Sequence, residues 1–92
     1  MEMIDIMKQR LPEGLEIIKV YNRTGNSQLR ILFSYGGQEY TSYLNKTCTP
    51  GHAEENCDFT ICAVMLNYAL ERNDLVEAKY WLDKQNALTN LI

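Results

Sequence analysis

The sequence predicts an α+β fold with a short N-terminal helix, a three-stranded antiparallel meander and two C-terminal helices, in the order αβββαα. Two segments rich in β-branched and aromatic residues, 15–21 and 28–35, are followed by Gly36-Gly37 and a third such segment, 38–44. Two adjacent glycines are typical of a two-residue hairpin turn, because both central residues of a type I′ turn need positive φ. With 92 residues, 46% of them hydrophobic, the chain is predicted to form one domain over residues 1–92.

The first segment has the spacing of a helix. Ile4, Met7 and Leu11 recur at intervals of three and four residues, which places them on one helical face. Pro12 cannot continue a helix, and Gly14 frees the backbone to turn. We therefore predict a short helix over residues 2–10.

The diglycine turn sets the register of the second hairpin and leaves Leu29, Ile31 and Phe33 on one face. A four-residue loop in the first hairpin would pair Val20 with Leu29 and Ile18 with Ile31. The predicted core face of the sheet, which alternation assigns to every second residue, is Ile18, Val20, Leu29, Ile31, Phe33, Tyr40 and Leu44.

Residues 59–72 are apolar nearly all round, which is typical of a helix packed on more than one side. Asn73 is predicted to end this helix, and Asp74 with Glu77 forms the pattern of an N-terminal cap and capping box. The predicted inward side of the last helix comprises Leu75, Ala78, Trp81, Leu82, Gln85, Leu88 and Ile92.

All three cysteines and the only histidine lie within 15 residues, at Cys48, His52, Cys57 and Cys62. These four side chains could supply a zinc ion, but a close pair such as C-x2-C is missing. Cys57 with His52 could form a nucleophile pair, yet no orienting third group or oxyanion loop accompanies it. We therefore predict no metal, no cofactor and no enzymatic activity, and keep the zinc module as an alternative.

Three acidic residues, Glu54, Glu55 and Asp58, precede or open the helix that contains Cys62. Acidic side chains complement the dipole at a helix N-terminus, and this is the interpretation we favour. The alternative is an acidic patch that binds basic residues of a partner.

The outer face of the sheet, opposite the predicted core, is the candidate partner-binding surface. Tyrosine and arginine are enriched at protein interface hot spots, and aromatic residues with cations on a sheet also bind single-stranded nucleic acid. The net charge of −3 favours a protein partner or a second copy of the chain. The candidate residues are Ile17, Lys19, Tyr21, Arg30, Leu32 and Tyr43.

The compartment is predicted to be the cytoplasm. Acids at Glu2 and Asp5 stand where a signal peptide needs positive charge, and three cysteines, an odd number, fit a reducing environment. No run approaches the roughly 20 apolar residues of a membrane span, so no membrane association is expected.

The order helix–strand–strand–strand–helix resembles double-stranded-RNA-binding domains, but residues 54–58 lack the basic cluster on which those domains depend. The helix within the opening segment Met-Glu-Met-Ile-Asp-Ile-Met-Lys, the Gly36-Gly37 hairpin and the closing helix pair resemble those of small phage-encoded inhibitors, particularly short type II anti-CRISPR proteins. The resemblance covers most of the chain as topology and length. It implies an accessory inhibitor in the cytoplasm of a host cell that acts by occupying a partner's functional surface.

We therefore expect a non-enzymatic protein-binding module, with a single-stranded nucleic-acid binder as the alternative.

Overall fold

A short helix, three strands and two longer helices follow one another along the chain in the predicted order. The computed structural model describes residues 1–92, with helices and strands as follows. Helix α1 spans Met3–Lys8, strands β1, β2 and β3 span Glu16–Tyr21, Gln28–Tyr35 and Gln38–Asn45, helices α2 and α3 span Ala53–Glu71 and Leu75–Leu88, and a 3₁₀ turn covers Thr89–Leu91. The predicted α+β fold class is confirmed.

The three strands form an antiparallel meander in the order β1-β2-β3, with one face covered by helices. Helix α2 packs on β3 and on α1, and α3 packs mainly on α2. This arrangement explains why α2 is apolar nearly all round. No helix of the protein has both the length and the hydropathy needed to cross a membrane.

The core lies between β2, β3 and α2. Met7, Ile31, Phe33, Leu44 and Val64 are completely buried there. The predicted register of the second hairpin is confirmed, since Phe33 pairs with Tyr40 and Ile31 with Ser42.

The predicted register of the first hairpin is wrong. Val20 lies opposite Ile31 rather than Leu29, and Ile18 is an extra residue between the Ile17–Phe33 and Lys19–Leu32 pairs. Such a bulge reverses the alternation of side chains along a strand. Ile17 consequently packs against the core, while Ile18 is 50% exposed, so both were assigned to the wrong face.

Helix α2 begins at Ala53, six residues earlier than predicted, so Cys57 and Asp58 lie inside it rather than at its start. The apolar pattern in the sequence does not extend to the start of this helix, because two of its buried side chains are polar. Asn56 Nδ2 donates to the Asn45 carbonyl at 3.0 Å, and Thr60 Oγ1 donates to the Tyr43 carbonyl at 2.8 Å. These bonds satisfy carbonyls of β3, an edge strand that would otherwise present unpaired backbone groups.

The boundary between α2 and α3 agrees with the sequence. Asn73 adopts a φ of 57°, and the backbone N–H of Glu77 donates to Asp74 Oδ1 at 3.1 Å, which confirms the cap. The reciprocal bond of the predicted capping box is not formed, because the backbone N–H of Asp74 donates to the Ala69 carbonyl at 2.9 Å and the Glu77 carboxylate accepts from Trp81 Nε1 at 3.3 Å.

The inward side of α3 was only partly predicted. Ala78 is buried, and Trp81 packs against the core, but Leu75 and Leu82 point to solvent. With Val76, which is 85% exposed, and Tyr80, they form an exposed apolar surface that we call the α3 patch.

Candidate functional site

The outer face of the sheet carries two cross-strand rows of side chains. Tyr21 pairs with Arg30, and Arg30 pairs in turn with Tyr43, so these three side chains cross the sheet side by side. The neighbouring row runs from Lys19 through Leu32 to Thr41. Of the six residues predicted for this surface, five lie on it, and Ile17 is excluded by the bulge.

Two cationic side chains lie over the ring of Tyr21. The Arg30 guanidinium carbon lies 3.9 Å from the ring centroid, and Lys19 Nζ lies 4.9 Å from it. Cation–π attraction of this kind holds a flexible side chain in place. Tyr43, by contrast, is 54% exposed, which leaves its ring available to a partner.

Positive charge is concentrated at one end of the sheet although the whole chain carries a net charge of −3. Residues 17–38 and 40–53 contain no aspartate or glutamate. The only acids of the three strands, Glu16 and Glu39, lie opposite Ser34 near the other end. The lysines and arginines of these two acid-free ranges are Lys19, Arg23, Arg30 and Lys46.

A groove of about 500 Å³ opens at this basic end. Six residues line it, and together they supply two guanidinium groups, two phenol rings and two side-chain amides: Tyr21, Arg23, Asn26, Gln28, Arg30 and Tyr43. The sequence pattern does not identify Arg23, Asn26 and Gln28, because two of them lie in the connecting loop and the third opens β2. A loop with one arginine gives no sequence signal of its own.

The acidic residues at the start of α2 have partners within the chain. Arg10 donates from Nε and Nη2 to the two carboxylate oxygens of Asp58 at 2.8 and 2.7 Å, and from Nη1 to Glu54 at 2.6 Å. The hydrogen bond to Asp58 raises the pKa of Arg10 far above its usual range. Glu55 Oε1 lies 3.7 Å from His52 Nδ1.

These contacts join the segment that follows α1 to the start of α2, a structural role that accounts for Glu54 and Asp58. The sequence could not reveal it, because Arg10 lies more than 40 residues away along the chain.

The residues of the alternative zinc site are not arranged as a ligand set. No group of three or more histidine, cysteine, aspartate or glutamate side chains is placed to hold a metal ion. Cys57 is buried, with its Sγ 3.5 Å from the Met3 carbonyl, and Cys62 is buried in the same helix. Both behave here as small apolar core residues.

Burial also makes these two thiols poor nucleophiles. It raises the pKa of Cys57 to about 11 and the pKa of Cys62 to about 11, from an ordinary value of 9.0. The N-terminus of α2 therefore does not produce a reactive thiolate at Cys57, since the cost of burying a charge outweighs the helix dipole.

We expect the free energy of unfolding to fall as pH rises from 9 to 11. In this window the folded chain keeps its Cys57 and Cys62 protons, whereas the unfolded chain loses them, so proton release favours unfolding. Urea titrations at pH 7, 9, 10 and 11 measure the trend, and a Cys57→Ala, Cys62→Ala variant should show a shallower fall. Equal pH dependence of variant and parent would contradict this assignment.

Comparison of the chain with protein-family models, with curated proteins and with solved structures finds no match. The resemblance to short type II anti-CRISPR proteins therefore stays a prediction from topology.

Proposed function

We propose that the protein is a non-enzymatic protein-binding module that binds its partner through the outer face of the sheet. The observation that supports this most is the row Tyr21–Arg30–Tyr43 on a sheet face that no helix covers. Tyrosine and arginine are the residue types that most often dominate interface energetics. Leu32 in the adjacent row adds aliphatic surface next to the exposed Tyr43 ring.

The charge of this surface favours an acidic partner. Lys19 and Arg30 lie in the two outer rows, Arg23 lines the adjacent groove, and none of the six residues that line this groove is acidic. Opposite charge on two surfaces speeds their encounter and fixes their orientation. A protein that covers an acidic functional surface in this way would act as an inhibitor, which is the role implied by the resemblance to phage-encoded proteins.

Binding of single-stranded nucleic acid is the second candidate, and the same three cations, Lys19, Arg23 and Arg30, favour it. The small number of free tyrosine rings argues against nucleic-acid binding. Stacking platforms offer successive bases several free rings, whereas the Tyr21 ring is already occupied by Arg30 at 3.9 Å. Only Tyr43 in the row is left to stack, so we rank the protein partner first.

We expect Tyr43→Ala and Leu32→Ala to weaken capture of the partner from a bacterial lysate, with Tyr43→Ala reducing affinity roughly 30-fold, the loss typical of a hot-spot residue. Tyr80→Ala is the matched control, because Tyr80 is an equally exposed tyrosine (57%) on the α3 patch. Capture is quantified by mass spectrometry of the bound fraction. If Tyr80→Ala loses capture and Tyr43→Ala does not, the partner binds at α3 and not at the outer face of the sheet.

The same variants distinguish the nucleic-acid function. A single-strand binder should hold oligothymidylate at physiological salt, with affinity that falls steeply as salt rises. Tyr43→Ala should then cost about 1–3 kcal/mol of binding energy. We expect negligible oligonucleotide binding. Micromolar binding that Tyr43→Ala abolishes would replace the protein partner with nucleic acid.

A further inference from the structure

The groove at the basic end of the sheet contains two arginines without an acidic partner. Neither Arg23 nor Arg30 forms an ion pair, and none of the six lining residues is acidic. Arg10 differs from these two arginines, because its guanidinium donates two hydrogen bonds to Asp58. The groove therefore presents guanidinium donors whose natural counterpart, a carboxylate, is not supplied by the chain itself.

The Arg30 side chain and the backbone of Arg23 are held by their surroundings before any ligand arrives. The Arg30 guanidinium rests on the Tyr21 ring. The carbonyl of Arg23 accepts from the Asn26 N–H and from Lys46 Nζ, both at 3.1 Å, which ties the loop to the end of β3. Gln28 is fixed by a bond from its Nε2 to Asn45 Oδ1 at 2.8 Å. Groups already held in place lose less entropy when they bind.

We propose that this groove is a carboxylate-binding subsite for an aspartate or glutamate side chain of the protein partner. This inference rests on the proposed function and specifies what the outer face recognises. Arg30 and Arg23 supply the charged donors, and the amides of Asn26 and Gln28 add neutral polar groups at the same groove.

The groove is large enough for this ligand. At about 500 Å³ it exceeds the space that one carboxylate needs, so it accommodates an acidic side chain together with part of its neighbours. Tyr43 on the rim packs against the aliphatic part of such a segment. Planar carboxylates match the guanidinium fork through two parallel hydrogen bonds, which gives arginine an advantage over lysine at this position.

The probe is an acetylated hexaglutamate peptide, titrated into ¹⁵N-labelled protein and followed by NMR. We expect shifts centred on Arg23, Arg30 and the 22–27 loop, and affinity about tenfold or more lower in Arg30→Gln, as for loss of a charged hydrogen bond. Arg30→Lys should recover only part of it, because lysine keeps the charge and loses the fork. Arg72→Gln is the control of equal charge change, since Arg72 lies over Tyr68 and outside the groove.

Several results would overturn the inference. Chemical-shift changes at all lysines and arginines, or an equal loss of affinity in Arg72→Gln, would show that hexaglutamate binds by non-specific charge attraction. No shift at the groove, or tighter binding of hexathymidylate than of hexaglutamate through the same arginines, would reject the carboxylate. Partner capture that survives Arg23→Gln and Arg30→Gln but is lost in Tyr43→Ala would reject the subsite and leave the proposed interface standing. If Arg30→Gln alters the fold, Arg23→Gln, in an exposed loop, replaces it as the test variant.

Discussion

Replacing Phe33 with alanine is expected to leave the protein close to its unfolding transition at room temperature. Phe33 is completely buried between the sheet and the helices. Removing a buried aromatic side chain costs about 3–5 kcal/mol, the sum of lost transfer energy and the cavity left behind. Small domains have about 5–15 kcal/mol in total, so this loss takes most of the stability. Urea denaturation followed by circular dichroism measures it.

The matched control is Leu32→Ala, the adjacent residue on the opposite face of the same strand. Leu32 is half-buried on the outer face, so we expect a loss near 1 kcal/mol, typical of substitutions outside the core. The loss of stability in Trp81→Ala should be intermediate between the losses in Phe33→Ala and Leu32→Ala. Trp81 lies on the predicted inward side of the last helix, but its side chain is only half-buried. Similar losses in Phe33→Ala and Leu32→Ala would show that the two faces are assigned wrongly.

Gly36→Ala is expected to be the most disruptive change at the surface. Gly36 has a φ of +57°, which costs an L side chain about 1–2 kcal/mol. An added Cβ would also lie 2.6 Å from Tyr68 Cε1 and 2.9 Å from the Tyr68 hydroxyl. Moving that ring disturbs its edge-to-face contact with Tyr35, whose centroid is 4.6 Å away. We expect a total loss of about 2–5 kcal/mol, with crowding adding to the strain.

Gly37→Ala separates the two causes. Gly37 also has a positive φ, +79°, but an added Cβ meets no atom within 4 Å. This variant should therefore lose only the strain energy, and the difference between the two variants measures the contact with Tyr68. Equal losses, determined from urea midpoints, would show that Tyr68 does not pack on the turn.

The parts of the fold that the sequence predicted correctly are those with local signals. The diglycine turn fixed the pairing of β2 with β3 because a two-residue loop permits one register. The first hairpin has a six-residue loop, 22–27, and a bulge at Ile18. In the run Ile17-Ile18 either isoleucine fits the core, so alternation alone could not assign the face.

The candidate site was predicted in outline, and its details depend on tertiary contacts. Alternation identified Tyr21, Arg30 and Tyr43 as neighbours, because β-strand geometry is local. The groove needed the folded position of Arg23. The total charge does not reveal the basic end of the sheet, since it also counts the acids on the helices.

Site-specific photocrosslinking tests the proposed interface most directly. The photoreactive residue p-benzoylphenylalanine is introduced in place of Tyr43, on the outer face, or of Tyr80, on the α3 patch, and both proteins are irradiated in a bacterial lysate. We expect a defined crosslink to an acidic protein from position 43 and none from position 80. A crosslink from position 80 alone, or from position 43 to nucleic acid, would contradict a protein interface on the outer face of the sheet.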